Sequence, residues 1–186
     1  MQRKTALLVI DVQVGIVEGP EIGPVFQKED VLQTIKKLIS TARSQSIPVV
    51  YVQDLDVAAQ DSAEFQIHPE IAPLSGELVI RKKATDAFQL TELHKELQAR
   101  EINHLAVVGC KTEYCVDTTC RRATTLGYDV TLVADAHSTT GNDVLSAERI
   151  IAHHNALLHG LDNVSGFVMV RHSGENVFEP THDQYR

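Results

Sequence analysis

The chain has no tryptophan, two methionines and only three cysteines among 186 residues. Cys110, Cys115 and Cys120 stand five apart, with no C-x-x-C and no zinc-finger pair of histidines. Neither a disulfide framework nor a structural zinc site is indicated, and a reducing, cytoplasmic setting is the natural expectation. Basic residues are also in short supply, with 17 Lys and Arg against 25 Asp and Glu and a formal net charge of −8. That deficit argues against nucleic acid, whose binding depends on counterion release from phosphates, and against a polybasic membrane-surface protein. No apolar run approaches the roughly 20 residues of a spanning helix. Met1 to Thr5 leads into a strand pattern, not a secretory leader. Gly-x-Gly-x-x-Gly is absent, and Lys111-Thr112 lacks the upstream glycines of a P-loop, which disfavours dinucleotide and NTP sites.

What the chain does contain is a succession of short, β-branched apolar runs at 5–10, 48–53, 77–80, 104–109, 129–134 and 167–170. Several are nearly continuous in Val, Ile and Leu, the pattern of parallel strands buried on both faces. Between them lie segments of helical spacing. Val31, Leu32, Ile35, Leu38, Ile39 and Ala42 form one apolar face, with Asp30 and Gln33 in the spacing of a capping box. Leu90, Leu93 and Leu97 form a second, and Ala147, Ile150, Ile151, Leu157 and Leu158 a third, ending near Gly160. Strand–helix alternation without repeats or linkers predicts one domain over 1–186. The expected architecture is an α/β three-layer sandwich, with a six-stranded, mainly parallel sheet and helices on both faces. The 54–76 stretch, with Pro69 and Pro73, is too long for a plain connection and predicts a functional loop or a short extra helix.

Ligands of open α/β sheets bind beyond the carboxyl ends of the strands. Asp11 and then Gln13 leave the first run, Arg81-Lys82-Lys83 leave the third, and Cys110-Lys111-Thr112-Glu113-Tyr114-Cys115 leave the fourth. An acid, a lysine and a thiol on one sheet edge suit nucleophilic catalysis, in which a base takes the thiol proton. Cys115 is expected to open a helix, where unpaired N–H groups and a nearby lysine would favour the thiolate. Each residue also has an ordinary structural reading. A free cysteine is commonly a small buried hydrophobe, an aspartate after a strand a turn cap, and paired lysines solvated strand-end charges.

The ordered motifs resemble those of the isochorismatase-like cysteine hydrolase superfamily. Leu7-Leu8-Val9-Ile10-Asp11-Val12-Gln13 resembles its opening strand and acid, and Val79-Ile80-Arg81-Lys82-Lys83-Ala84-Thr85-Asp86-Ala87-Phe88 its lysine segment. Gly109-Cys110-Lys111-Thr112-Glu113-Tyr114-Cys115-Val116 resembles its nucleophile loop, and Gly127-Tyr128-Asp129-Val130 with Asp135-Ala136 the strand that follows. The resemblance covers about 5–160 and implies a catalytic triad of Asp11, Lys82 and Cys115. Lys82 is preferred to Lys83 by its spacing from Phe88. The resemblance further implies a cis Cys110–Lys111 peptide and an oxyanion hole made by the Lys111 and Cys115 backbone N–H groups.

Departures from the family patterns narrow the reading. Metal-dependent nicotinamidases carry Asp-x-His after the second strand, where this chain reads Asp54-Leu55-Asp56, so no metal and no cofactor are expected. The cysteine favours C–N hydrolysis over vinyl-ether cleavage, and the Phe65 to Ile71 stretch resembles an unassigned, streptothricin-hydrolase-like subgroup. The implied activity is hydrolysis of a small amide, lactam or ureido substrate through an acyl-thioester. Gln13, Gln53 and Tyr114 are the expected substrate contacts, with Phe26, His68 and His137 as further pocket candidates. The family also implies a homo-oligomer, a dimer or tetramer. A thiol-based redox sensor and a catalytically silent metabolite-binding protein are the competing readings.

Overall fold

In the computed structural model, which describes residues 4–21 and 23–185, the apolar runs pair into a single six-stranded sheet of order β3-β2-β1-β4-β5-β6. The strands are β1 (Thr5–Ile10), β2 (Val49–Asp54), β3 (Leu78–Lys82), β4 (His104–Cys110), β5 (Asp129–Ser138) and β6 (Val168–Arg171). Every pairing is parallel. Helices α1 (Val14–Val17), α2 (Lys28–Ser44), α3 (Leu93–Ala99), α4 (Asp117–Thr125) and α5 (Ala147–Leu158) lie between the strands.

Alternation along β1 divides the core in two. Leu7 and Val9 join the α2 face built from Val31, Leu32, Ile35, Leu38 and Ile39. Ala6, Leu8 and Ile10 join the opposite layer with Leu93 and Leu97 of α3 and Cys120 and Ala123 of α4. Chain order reverses between β1 and β4, the switch point at which such sheets open a crevice beyond their carboxyl ends. Among the described residues no helix is long and apolar enough to cross a membrane.

Three local expectations need correction. The α2 helix starts at Lys28 behind a left-handed Gln27, so Asp30 lies inside the first turn and the Asp30–Gln33 capping box does not form. Leu90 is almost fully exposed with a positive φ of 53°, and α3 begins only at Leu93. β5 runs to Ser138, past the end of its apolar run, because a register shift between Val107 and Gly109 restores pairing of Gly109 with His137 and Cys110 with Ser138. The 54–76 stretch does contain a short extra element, a 3₁₀ turn at Pro69–Ile71. The polar C-terminal segment docks on its own domain, burying Val177, Phe178 and His182 and accepting the Thr5 hydroxyl at the Phe178 carbonyl, 2.8 Å away.

Gly109 fixes how closely β4 approaches β1 at the site. Its φ is +126°, and a Cβ there would lie 2.0 Å from the Ile10 carbonyl oxygen, a backbone atom one residue before Asp11. Gly109→Ala is therefore expected to destabilise the protein by at least about 2 kcal/mol, because both the dihedral and the contact oppose it. Denaturant unfolding measures this; an unchanged midpoint would contradict the geometry.

Candidate active site

Four strands deliver the polar groups at the switch point. Asp11 follows β1 and is fully buried, with a φ of 49° in a left-handed conformation that a non-glycine residue rarely adopts. Its N–H donates to the Val52 carbonyl of β2 at 3.0 Å, which anchors the turn. Lys82 ends β3. Strand alternation turns Ile80 and Lys82 inward and leaves Arg81 and Lys83 exposed, so Lys82 is the lysine that enters the site. Cys115 lies beyond β4 in a π-helical turn, Thr112–Val116, that runs directly into α4. Such turns are rare and concentrate at functional sites.

The Lys82 ammonium sits at the centre of this group. Its Nζ is 2.8 Å from Asp11 Oδ2, 2.7 Å from Asp54 Oδ2 and 3.3 Å from Cys115 Sγ. An ammonium has three N–H donors and no acceptor; hydrogen bonds go to Asp54 and Cys115, and Asp11 completes the set as an ion-pair partner. Neither Asp11 carboxylate oxygen completes a hydrogen bond of good geometry among the described residues; Oδ2 meets Lys82 as an ion pair. Asp11, Asp54 and Cys115 present ligand atoms within 4.8 Å of one another, a spacing that could hold a cation. The cation the fold itself puts among them is the Lys82 ammonium.

The electrostatics correct one expectation. Burial pushes the Cys115 thiol up to about 12 and the Asp11 charge adds to the effect, outweighing Lys82. The π turn and the lysine therefore do not produce a resting thiolate. Burial also lifts the Asp11 carboxyl to about 6, against the lowering effect of Lys82 and the Cys115 hydrogen bond. Burial opposes the charge on Lys82, but Asp11 and Asp54 more than offset it and hold the amine above its ordinary range. At neutral pH the cluster thus holds a carboxylate base, a fixed ammonium and a neutral thiol.

The remaining expected residues occupy several positions. The Cys110–Lys111 peptide is cis. The Lys111 carbonyl accepts from Tyr114 and Val116, while its N–H donates to no described residue. Gln13 is completely buried; its amide donates to the Asp54 and Phe65 carbonyls at 3.1 and 2.8 Å and accepts the Asp54 N–H at 2.7 Å. Gln53 is buried and donates to the same Phe65 carbonyl at 3.2 Å. Both amides hold the 54–66 loop against the sheet edge. Tyr114, next to Cys115, is exposed. His137 is buried between Thr112 and Asn155, 2.9 Å from each, and burial pushes its imidazole down to about 4. It is therefore neutral and ties the π turn to α5. The His68 ring faces Glu18 at 3.3 Å, and the His68 backbone N–H donates to the Val12 carbonyl at 2.9 Å. Phe26 lies at the surface. Cys110 and Cys120 are buried in the two core layers.

Asp54 was not singled out from sequence as a member of this group. It was legible as an acid leaving the second strand on the same edge, directly opposite Lys82 in the β2–β3 register.

Comparison with known proteins agrees with this architecture. The family model described as an isochorismatase domain matches residues 5–154. A streptothricin hydrolase of Streptomyces noursei is 37% identical over 138 residues, 72% of this chain and 49% of its own. The ureidoacrylate amidohydrolase RutB of Cronobacter sakazakii is 30% identical over 118 residues, 63% of this chain and 46% of its own. The chain thus spans about half the length of either relative. An isochorismatase from Pseudomonas putida KT2440 superposes with a TM-score of 0.81 at 28% identity, covering 94% of this chain and 92% of that one. The chain belongs to the isochorismatase family.

Proposed function

We propose that this protein is a cysteine hydrolase that cleaves a C–N bond in a small amide, lactam or ureido substrate through an acyl-thioester. The convergence of Asp11, Lys82 and Cys115 within one buried cluster carries the reading. Similarity to an enzyme named an amidohydrolase supports the bond type.

In this scheme the Cys115 Sγ attacks the substrate carbonyl as Asp11 takes the thiol proton. Because burial keeps the resting thiol protonated, attack requires that Asp11 remove this proton. The carbonyl electrons move onto oxygen, where the Lys111 and Cys115 N–H groups stabilise the charge. Collapse expels the amine, which leaves with the proton held by Asp11. Water then attacks the thioester and gives a proton to Asp11; collapse releases the acid and the Cys115 thiolate, which takes that proton back from Asp11. Lys82 supplies the fixed positive charge, so the scheme uses no metal and no cofactor. Of the three expected substrate contacts, exposed Tyr114 remains available to a ligand, while Gln13 and Gln53 act through the loop they hold. A cytoplasmic homo-oligomer, dimer or tetramer, belongs to the same reading.

A panel of amides and ureides, read by ammonia or amine release with Cys115→Ala as control, tests the activity. Hydrolysis undiminished in that variant defeats the scheme. A redox sensor would instead give reversible thiol oxidation without hydrolysis, and a silent binding protein would give ligand binding without an acyl-enzyme mass. The pH profile supplies a separate check. Asp11 must be ionised to accept the proton, so kcat/KM should rise with a midpoint near 6. Activity independent of pH between 4.5 and about 7.5 would remove Asp11 from the role of base.

A further inference from the structure

Asp54 is built into the cluster from several sides. Its Oδ1 accepts the Asp56 N–H at 2.9 Å, and its Oδ2 accepts the Lys82 ammonium at 2.7 Å. Its backbone is clamped by Gln13, which accepts the Asp54 N–H and donates to the Asp54 carbonyl. β2–β3 pairing sets Asp54 opposite Lys82, and the Leu55 N–H donates to the Lys82 carbonyl at 2.8 Å. Asp54 is therefore held by the Asp56 backbone and by Gln13 as well as by Lys82.

We propose that Asp54 is a positioning residue: it holds the third N–H of Lys82 and, by its negative charge, keeps Lys82 from neutralising the Asp11 carboxylate that serves Cys115. The inference rests on the reading of Cys115 as nucleophile and Asp11 as its base. Without Asp54 the flexible lysine stem would have two partners for three donors. The ammonium would then settle on Asp11, with no second carboxylate competing for it. A carboxylate paired alone with an ammonium is a weaker base. The titratable groups around Asp11 are Lys82 from β3, Asp54 from β2, Cys115 from the π turn and Cys110 from β4. Among them Asp54 is the acid whose charge reinforces the proton affinity of Asp11 and whose side chain touches Lys82.

The test needs no substrate. Alkylation of the full-length protein by iodoacetamide is followed against pH, with the Cys115 peptide quantified by mass spectrometry. In the unsubstituted protein the rate should rise with a midpoint near 6, where Asp11 ionises, and this rise should vanish in Asp11→Asn. In Asp54→Asn the midpoint should fall by about one unit and the rate at pH 7 by about threefold or more. Asp54→Glu, which keeps the charge but displaces it, should retain the midpoint while lowering the rate. A uniform rate loss at every pH in Asp54→Asn, with the midpoint unmoved, would overturn the positioning role. Should Asp54→Asn fail to fold, a midpoint displaced in Asp54→Glu would overturn it equally. An Asp11→Asn profile identical to the unsubstituted one would instead defeat the Asp11–Cys115 reading itself, so the two failures are distinct.

Discussion

Cys115→Ala should abolish hydrolysis, lowering kcat/KM by at least about 10⁴-fold, while the protein remains folded. The loss is large because no other described thiol can replace Cys115. Cys110 and Cys120 are completely buried within the core layers. The fold should survive because the side chain is small and its apolar neighbours remain. What Ala removes is one acceptor of the Lys82 ammonium, leaving a buried donor unpaired at a cost of about 1–3 kcal/mol. At about 2–4 °C per kcal/mol for a chain of this size, the thermal midpoint should fall by several degrees without loss of cooperativity. Cys115→Ser keeps an acceptor for Lys82 and should recover most of that stability, but not the activity. Turnover in the Ala variant above a hundredth of the original would exclude Cys115 as nucleophile.

Lys82→Met should have the larger structural effect. The substitution removes the one cation between two carboxylates, and the Lys82 side chain is wholly buried. Breaking a buried ion pair by deleting one partner costs about 3–5 kcal/mol, since the remaining charges are left uncompensated. Hydrolysis should be lost as well. The pH dependence has a definite sign. Burial already holds the Asp11 carboxyl above its ordinary range, and loss of the ammonium that lowers it raises it further, so the folded state binds the extra proton. Stability is then fully present below the unfolded pKa and lost as pH rises through the folded one. Urea unfolding of Lys82→Met should accordingly give a higher midpoint at pH 5 than at pH 8. Adding Asp54→Asn to Lys82→Met should restore part of the stability at pH 8. Equal midpoints at both pH values would show that the carboxylates are not the source of the loss.

Much of this arrangement could be read from residue order. Continuous Val, Ile and Leu runs mark the buried parallel strands, whereas Lys82 is preferred to Lys83 only by the family spacing from Phe88; the alternation that buries it depends on β3 extending to Lys82. Position at strand ends placed Asp11, Lys82 and Cys115 on one edge. Other features depend on tertiary context. The Asp135-Ala136-His137-Ser138 segment has too little apolar character to mark a strand; it pairs because the irregularity opposite Val107 and Gly109 realigns the backbone. Leu90 carried the apolar signal of a helix face, yet the chain there turns with positive φ and leaves it in solvent. The Cys115 thiol has a helix terminus and a lysine nearby, both of which lower a thiol pKa. Burial and the Asp11 charge act the other way and dominate. Gln13 and Gln53 illustrate the same limit: their polarity and position suited a ligand, but backbone groups of the 54–66 loop reach their amides first.

The Lys82 hub joins groups from β1, β2 and β3 to a thiol beyond β4, spanning positions 11 to 115 of the chain. None of these pairings is local, and contacts of such separation form late because loop closure precedes any gain from them. In a partly folded chain Lys82 would lack this set of carboxylates, and Cys115 would lack the base that makes a neutral thiol reactive. The chemistry is therefore conditional on the sheet being complete through its switch point. Base-assisted reactivity of Cys115 reports, in one residue, that four separate strands have found their places.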